Sequence, residues 1–333
     1  MKGSRATDPA GHGPPSRRRL PGLRTMGPAW RSWVASGLLL AAHGAAAQTS
    51  DRQVALTFDD LPATHDTCDA EALRTVTRRL TGTLGARGSP VAGLVTPGRP
   101  CLTRELLSST LGAWLEIGAV LGNHTATHPD LNATPLEDYL ADLDRGQALI
   151  DAAVPTEGRW FRPPMLHAGD EPAKKRGLAA HLAEGGYRVA VVTVDNQEWV
   201  YAAVYARARE RGDSTLAARV VDAYIRHLEA SMAFYEELSV AVLGREIPQV
   251  LLLHANLLNA EHLDRVLAML EGRGYRFVGL PDAVADPAYR RPDTYVGSRG
   301  LSWLQRWAME AGVPVPPEPR EADWIAGAFR SGG

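Results

Sequence analysis

Residues 187–195 read YRVAVVTVD, and the middle of that stretch is apolar almost without interruption. No face of VAVVTV is left for water, the pattern of a strand buried on both sides in a parallel sheet covered by helices. Working outward, runs of strand length recur at QVALTFDD (53–60), PVAGLVT (90–96), AVLGNHT (119–125), RWFRPP (159–164), PQVLLLHA (248–255) and YRFVGL (275–280). Helical periodicity fills the intervals 69–84, 103–117, 135–153, 171–184 and 261–272. Seven strands alternating with helices predict an α/β protein whose parallel sheet can close into a barrel. Two segments break the rhythm. Residues 199–248 predict two helices crossing one face, an insert before the sixth strand. After Pro281 the chain is rich in Pro and Gly, apart from a short amphipathic piece at 301–311 that places Trp303 and Trp307 on one face, a pair expected to pack on the body of the protein. The predicted organisation is a targeting segment (1–47), a catalytic domain (48–290) and a C-terminal extension packed on it (291–333).

Of the 333 residues, 45% are hydrophobic and 22% charged, which suits a large core and excludes disordered, collagenous and disulfide-scaffold classes. Residues 1–47 hold seven Lys/Arg and one acid, so the remainder carries a net charge of −8 and is a poor partner for nucleic acid. The basic head has Arg31 before the apolar run WVASGLLLAA (33–42) and then Ala45-Ala46-Ala47, the layout of a cleavable signal peptide counted from Met26. That run is about half of the ~20 residues a membrane span needs. The expectation is export to the periplasm or beyond, with no membrane span in the mature chain. The two cysteines, Cys68 and Cys101, then suit a disulfide, with two free thiols as the alternative.

Ionisable residues gather where the strands end. The first ends in Asp59-Asp60, the third in the GNHTATH stretch with His124 and His128, the fourth in Arg162. The fifth leads into Asp195, Glu198 and Trp199, and the sixth ends in His254. Functional groups of parallel α/β sheets and barrels sit at the carboxyl ends of strands. Taken singly these residues read as turns, caps and a core histidine; His124 and His128, at i and i+4, reach one metal if they lie on a helical turn. Together they offer three N/O ligands, a carboxylate base and a titratable acid, the parts of metal-assisted hydrolysis. No P-loop, GxGxxG after a strand or GxSxG elbow is present, so ATP, NAD and serine-hydrolase chemistry lose their main support.

The order TFDD, HTATH, RPP, DNQEW and LLLH resembles the five motifs of the polysaccharide deacetylase family, the NodB-homology carbohydrate esterases, over roughly residues 53–282. The resemblance implies a distorted (β/α)7 barrel. It also implies one divalent metal, zinc foremost with cobalt or nickel as substitutes, held by Asp60, His124 and His128. Asp59 would be the general base restrained by Arg162, and His254 the general acid, its partner open between Asp195 and Glu198. The Met165 backbone N–H would face the oxyanion, with Trp199, Met165 and Glu198 on the substrate side. In this fold Cys68 and Cys101 follow neighbouring strands, so a bridge between them would brace the rim.

The chain departs from the family at two points: Met165 stands where an aromatic residue is common after RPP, and Glu198 stands before the tryptophan where Asp is usual. Both bear on the substrate more than on the reaction. The expected activity is removal of N-acetyl, or O-acetyl, groups from a glycan or oligosaccharide. The alternatives are hydrolysis of a non-sugar amide and a catalytically silent glycan-binding protein. His65 and His167 are candidates to line the cleft, Asn256 to cap a turn or wall the pocket, and His181, His227 and His262 are read as surface residues.

Overall fold

A computed structural model of the protein describes residues 52–64 and 68–331; the segment read as a signal peptide and His65 lie outside the described residues. Seven strands, β1 (Arg52–Leu61), β2 (Val91–Val95), β3 (Val120–Asn123), β4 (Arg159–Phe161), β5 (Tyr187–Val189), β6 (Gln249–His254) and β7 (Tyr275–Phe277), form one all-parallel sheet. Its order is β5-β4-β3-β2-β1-β6, with β7 also paired to β1. Just past β5, Val194 bridges Leu251 of β6, and Val194 N–H donates to the Val250 carbonyl at 3.0 Å. That bridge brings the two ends of the sheet together, and the fold is a distorted (β/α) barrel.

The run 187–195 is therefore two pieces rather than one strand. Its first three residues pair with β4, and residues 193–194 pair with β6. Between them the carbonyls of Ala190 and Val191 turn to accept the Arg162 guanidinium, at 2.9 and 3.2 Å. A buried guanidinium needs acceptors, and two of those it uses are carbonyls that a continuous strand would have spent on its neighbours.

Helices α1 (Ala70–Arg87), α2 (Arg104–Glu116), α3 (Leu136–Ala153) and α4 (Pro172–Glu184) follow the first four strands. The insert consists of α5 (Glu198–Glu210) and the long α6 (Ser214–Leu243). Beyond it come α7 (Leu257–Gly272), the short α8 (Leu280–Ala283), α9 (Trp303–Ala311) and α10 (Asp323–Arg330). Side chains start several of them: Asp69 caps α1, Thr103 caps α2, Asp213 caps α6, and Ser302 with Gln305 closes a capping box on α9. Strand β2 is buried along its whole length, in keeping with a sheet covered on both faces. In the C-terminal segment Trp303 and Trp307 are buried. The Trp303 N–H donates to the Val192 carbonyl at 2.8 Å, tying α9 to the segment that closes the ring. Sequence patterning did not separate α10 from the Pro-rich tail around it.

Candidate active site

Strand register places the site. Asp59 of β1 lies opposite His254 of β6 in the parallel pairing. Asn123 of β3 lies opposite Phe161 of β4, so the next residues, His124 and Arg162, emerge side by side. The His124 Nδ1 lies 2.8 Å from the Arg162 carbonyl, which leaves Nε2 to face the cleft. His124 is 2% exposed, and burial, followed by the neighbouring His128, holds its pKa well below the usual imidazole value. A neutral imidazole with one nitrogen tied to a carbonyl is the form a metal takes.

His128 is presented by a loop and not by the helical turn that the HTATH spacing suggested. Thr125 and His128 have φ of +65° and +60°, in the left-handed region. The loop is braced at several points. Asn123 Oδ1 accepts from Thr125 N–H at 2.8 Å, Thr125 Oγ1 from His128 N–H at 3.0 Å, and Asp142 from Thr127 N–H at 2.8 Å. Helix α3 comes close through Gly146, where a Cβ would lie 2.9 Å from the Ala126 nitrogen. Asp60 also has a positive φ, +65°, at the end of β1. Non-glycine residues in that region cost of order 1–3 kcal/mol and persist where surrounding contacts enforce them, commonly at functional sites. Asp60, His124 and His128 each offer a ligand atom, all within 4.8 Å of one another. One carboxylate oxygen and two imidazole nitrogens form a donor set suited to zinc, cobalt or nickel, and three protein ligands leave a position open. The residues present fit a divalent ion.

Two ion pairs flank this cluster. Arg162, fully buried, donates to Asp59 Oδ1 at 2.6 Å and to Thr57 Oγ1 at 2.9 Å, besides the two carbonyls of the ring-closing segment. Asp59 Oδ2 is left 3.6 Å from His124 Nε2, beside the ligand cluster. On the other side His254 Nδ1 lies 2.7 Å from Glu198 Oε2. Glu198 is 1% exposed, and its Oε1 accepts from Asn259 Nδ2 at 2.9 Å and from Asn256 Nδ2. Asn259 is fixed in turn by the Tyr224 hydroxyl of α6, at 2.9 Å. Burial lowers the His254 pKa, but the hydrogen bond and charge of Glu198, then Asp60 and Asp59, outweigh it and raise the value to about 9.

These contacts decide one open choice and revise other expectations. The partner left open between Asp195 and Glu198 is Glu198, and Glu198 is not a substrate contact, because it lies sealed beneath His254. Asp195 instead accepts from the Asn196 N–H at 2.8 Å; burial raises its pKa, with His254 among the groups acting on it. His227 is buried, 6% exposed, with Nε2 2.7 Å from the Asn196 carbonyl, so it is not a surface residue. His262 is half-buried, its ring 5.4 Å from that of Tyr205. His167 pairs with Asp130 at 2.7 Å. Asn256 both caps α7 and holds Glu198.

Met165 is 43% exposed, with φ of +55°, in a tight 3-10 turn after β4. The C-terminal segment presses on this turn. Arg306 donates to the Leu166 carbonyl at 2.7 Å, and a Cβ on Gly300 would fall 1.9 Å from the Met165 carbonyl oxygen. Trp199 is 47% exposed and meets Phe329 of α10 edge-on, with ring centroids 5.2 Å apart. Cys68 and Cys101, in the connections after β1 and β2, are joined by a disulfide. Sequence reasoning missed Arg99, which is 7% exposed, donates to the Thr64 carbonyl at 2.9 Å and lies in the field of Asp60. Its signal was present, since TPGRP (96–100) follows the second strand as the other site residues follow theirs.

Residues 46–183 match the family model described as polysaccharide deacetylase. The span carries Asp59, Asp60, His124, His128 and Arg162, while Glu198 and His254 lie beyond it. Among solved structures, the chain is similar to a family 4 carbohydrate esterase from Streptomyces lividans in complex with acetate. The two are 21% identical, with 70% of this chain and 96% of that one covered and a TM-score of 0.45. A polysaccharide deacetylase from Bacillus cereus is 20% identical, with 68% and 91% covered and a TM-score of 0.47. A family 4 pseudoenzyme from Bacillus anthracis is 15% identical, with 71% and 66% covered and a TM-score of 0.42. No curated protein matches the sequence.

Proposed function

We propose that this chain is an exported, metal-dependent deacetylase that hydrolyses N-acetyl groups of a glycan. The observation that carries the reading is the arrangement of two separate pairs, Asp59–Arg162 and His254–Glu198, on either side of the Asp60–His124–His128 cluster. A silent binding protein has no use for both a base and an acid poised at one cleft. A divalent ion bound by the cluster would supply a Lewis acid for the acyl carbonyl and a more acidic water.

The chain's own groups then divide the proton work. Asp59 takes the proton of the attacking water on Oδ2, since Oδ1 is occupied by Arg162. His254, with a pKa of about 9, carries a proton at neutral pH and delivers it to the departing amine, which otherwise leaves poorly. Glu198 keeps that ring charged and aimed. The Met165 N–H is assigned to the developing oxyanion, a role that needs the backbone and tolerates Met in place of an aromatic side chain. Water is consumed, the C–N bond breaks, and acetate and a free amine leave. The signal-like segment supports export, as does the Cys68–Cys101 bridge, because disulfides persist in oxidising compartments.

The test is acetate release by the purified protein from chitooligosaccharides, peptidoglycan and acetylated xylan, metal-stripped and again with zinc or cobalt restored. Metal-dependent release from an N-acetylated glycan is the expected result. Stoichiometric metal binding without release from any of the three overturns the reading.

A further inference from the structure

The cleft does not end at the metal cluster. A cavity of about 390 Å³ begins at Asp60 and His254 and runs along α5 towards α10. An acetyl methyl displaces about one water, about 30 Å³ in the liquid, so most of this space is unused by an acetyl group. Its far wall consists of Trp199, Ala203 and Ala206 of α5, Leu257 of α7 and Phe329 of α10. The polar lining residues, Asp60, Thr64, His254 and Asn256, are contributed by the ends of β1 and β6 and the residues just after them.

Helical spacing explains the wall. Residues 199, 203 and 206 share one face of α5, while Tyr201, Val204, Tyr205 and Ala208 on the other side are buried in the core. The α10 side is held in place: Arg207 of α5 donates to the Ala328 and Phe329 carbonyls, at 3.2 Å each. A sugar hydroxyl would find few partners along this wall, whereas a hydrocarbon chain would bury apolar surface there.

Resting on the deacetylase reading, we propose that this cleft takes an acyl chain longer than acetyl, so that the protein removes medium-length N-acyl groups in preference to N-acetyl. The bond chemistry is unchanged: water adds its OH to the acyl carbon, the C–N bond breaks and the amine gains the proton.

The test is a binding series on the zinc-loaded protein, with acetohydroxamic and hexanohydroxamic acids as probes, read by titration calorimetry. Hexanohydroxamate is expected to bind at least tenfold more tightly. Ala206→Phe, at an exposed helix position that lines the trough, is expected to bring that ratio close to one. Equal affinities for the two probes, or a ratio untouched by Ala206→Phe, overturn the inference and leave the deacetylase reading standing. Ala206-dependent binding of chitobiose with no chain-length effect also overturns it, in favour of a sugar wall. Failure of the zinc-loaded protein to bind either hydroxamate overturns the metal reading and the inference with it.

Discussion

Asp59 and His254 face each other across adjacent strands, yet each is governed by a different partner, and this separation sets what single substitutions do. On the proposed mechanism, Asp59→Asn keeps the carboxamide within reach of Arg162 but cannot accept the water's proton. The expected result is a loss of kcat of at least 10²-fold with metal content unchanged, checked by acetate release alongside metal analysis. His124→Ala and His128→Ala are expected to lose metal and activity together. On the proposed mechanism His254 must be protonated to serve as the acid, and its pKa is raised to about 9. Activity is therefore retained through neutral pH and lost as pH rises through about 9. Glu198→Gln removes the charge that supports the proton, so the basic limb of the kcat/KM profile is expected to move to lower pH; an unmoved limb would dissociate Glu198 from the acid. Most of this was legible in the sequence, because TFDD, HTATH, RPP and LLLH are short segments fixed to strand ends. The choice between Asp195 and Glu198 was not. It depends on where α5 begins, and Gln197, with φ of +53°, turns the chain so that Glu198 enters the helix pointing beneath His254.

Continuous apolar character at 187–195 predicted one strand, and the structure spends it on two pairings because a buried arginine claims the carbonyls between them. Such a break is invisible to hydropathy, since Ala190 and Val191 are buried either way. Removing the cause is expected to be costly. Arg162→Met leaves the buried Asp59 without its partner, with an expected loss of about 3–5 kcal/mol, measured by urea unfolding. The C-terminal segment shows the opposite failure of legibility: α10 is short and set among prolines, yet it supplies Phe329 to the cleft. Its neighbour Gly300 sits against the Met165 carbonyl with no room for a methyl group. Gly300→Ala is expected to displace the 164–166 turn and lower kcat while metal content and KM change little, a split that steady-state kinetics on metal-loaded protein would resolve.

For the whole molecule, alternation of strand and helix was enough to give a parallel α/β sheet able to close, because strands buried on both faces announce themselves in sequence, while the barrel itself was implied by the resemblance of the five motifs. What joins distant parts was less visible. The disulfide joins residues 33 apart in sequence, in the connections after β1 and β2, the same connections that carry Thr64 and Arg99. Replacing both cysteines with serine is expected to cost about 2–4 kcal/mol, read as a lowered urea midpoint with a steeper slope, since the unfolded chain without the bridge exposes more surface.

Helix α5 begins with Glu198, which holds His254, and continues one turn later as the wall of the cleft. On the proposed reading, any rigid shift of the helix that widens the cleft also draws Glu198 away from the ring it orients. Rate and substrate choice are thus geared to the same axle. A lineage adapting this scaffold to new substrates would advance by exchanging single side chains at Ala203 and Ala206, and would be penalised for moving the helix that bears them.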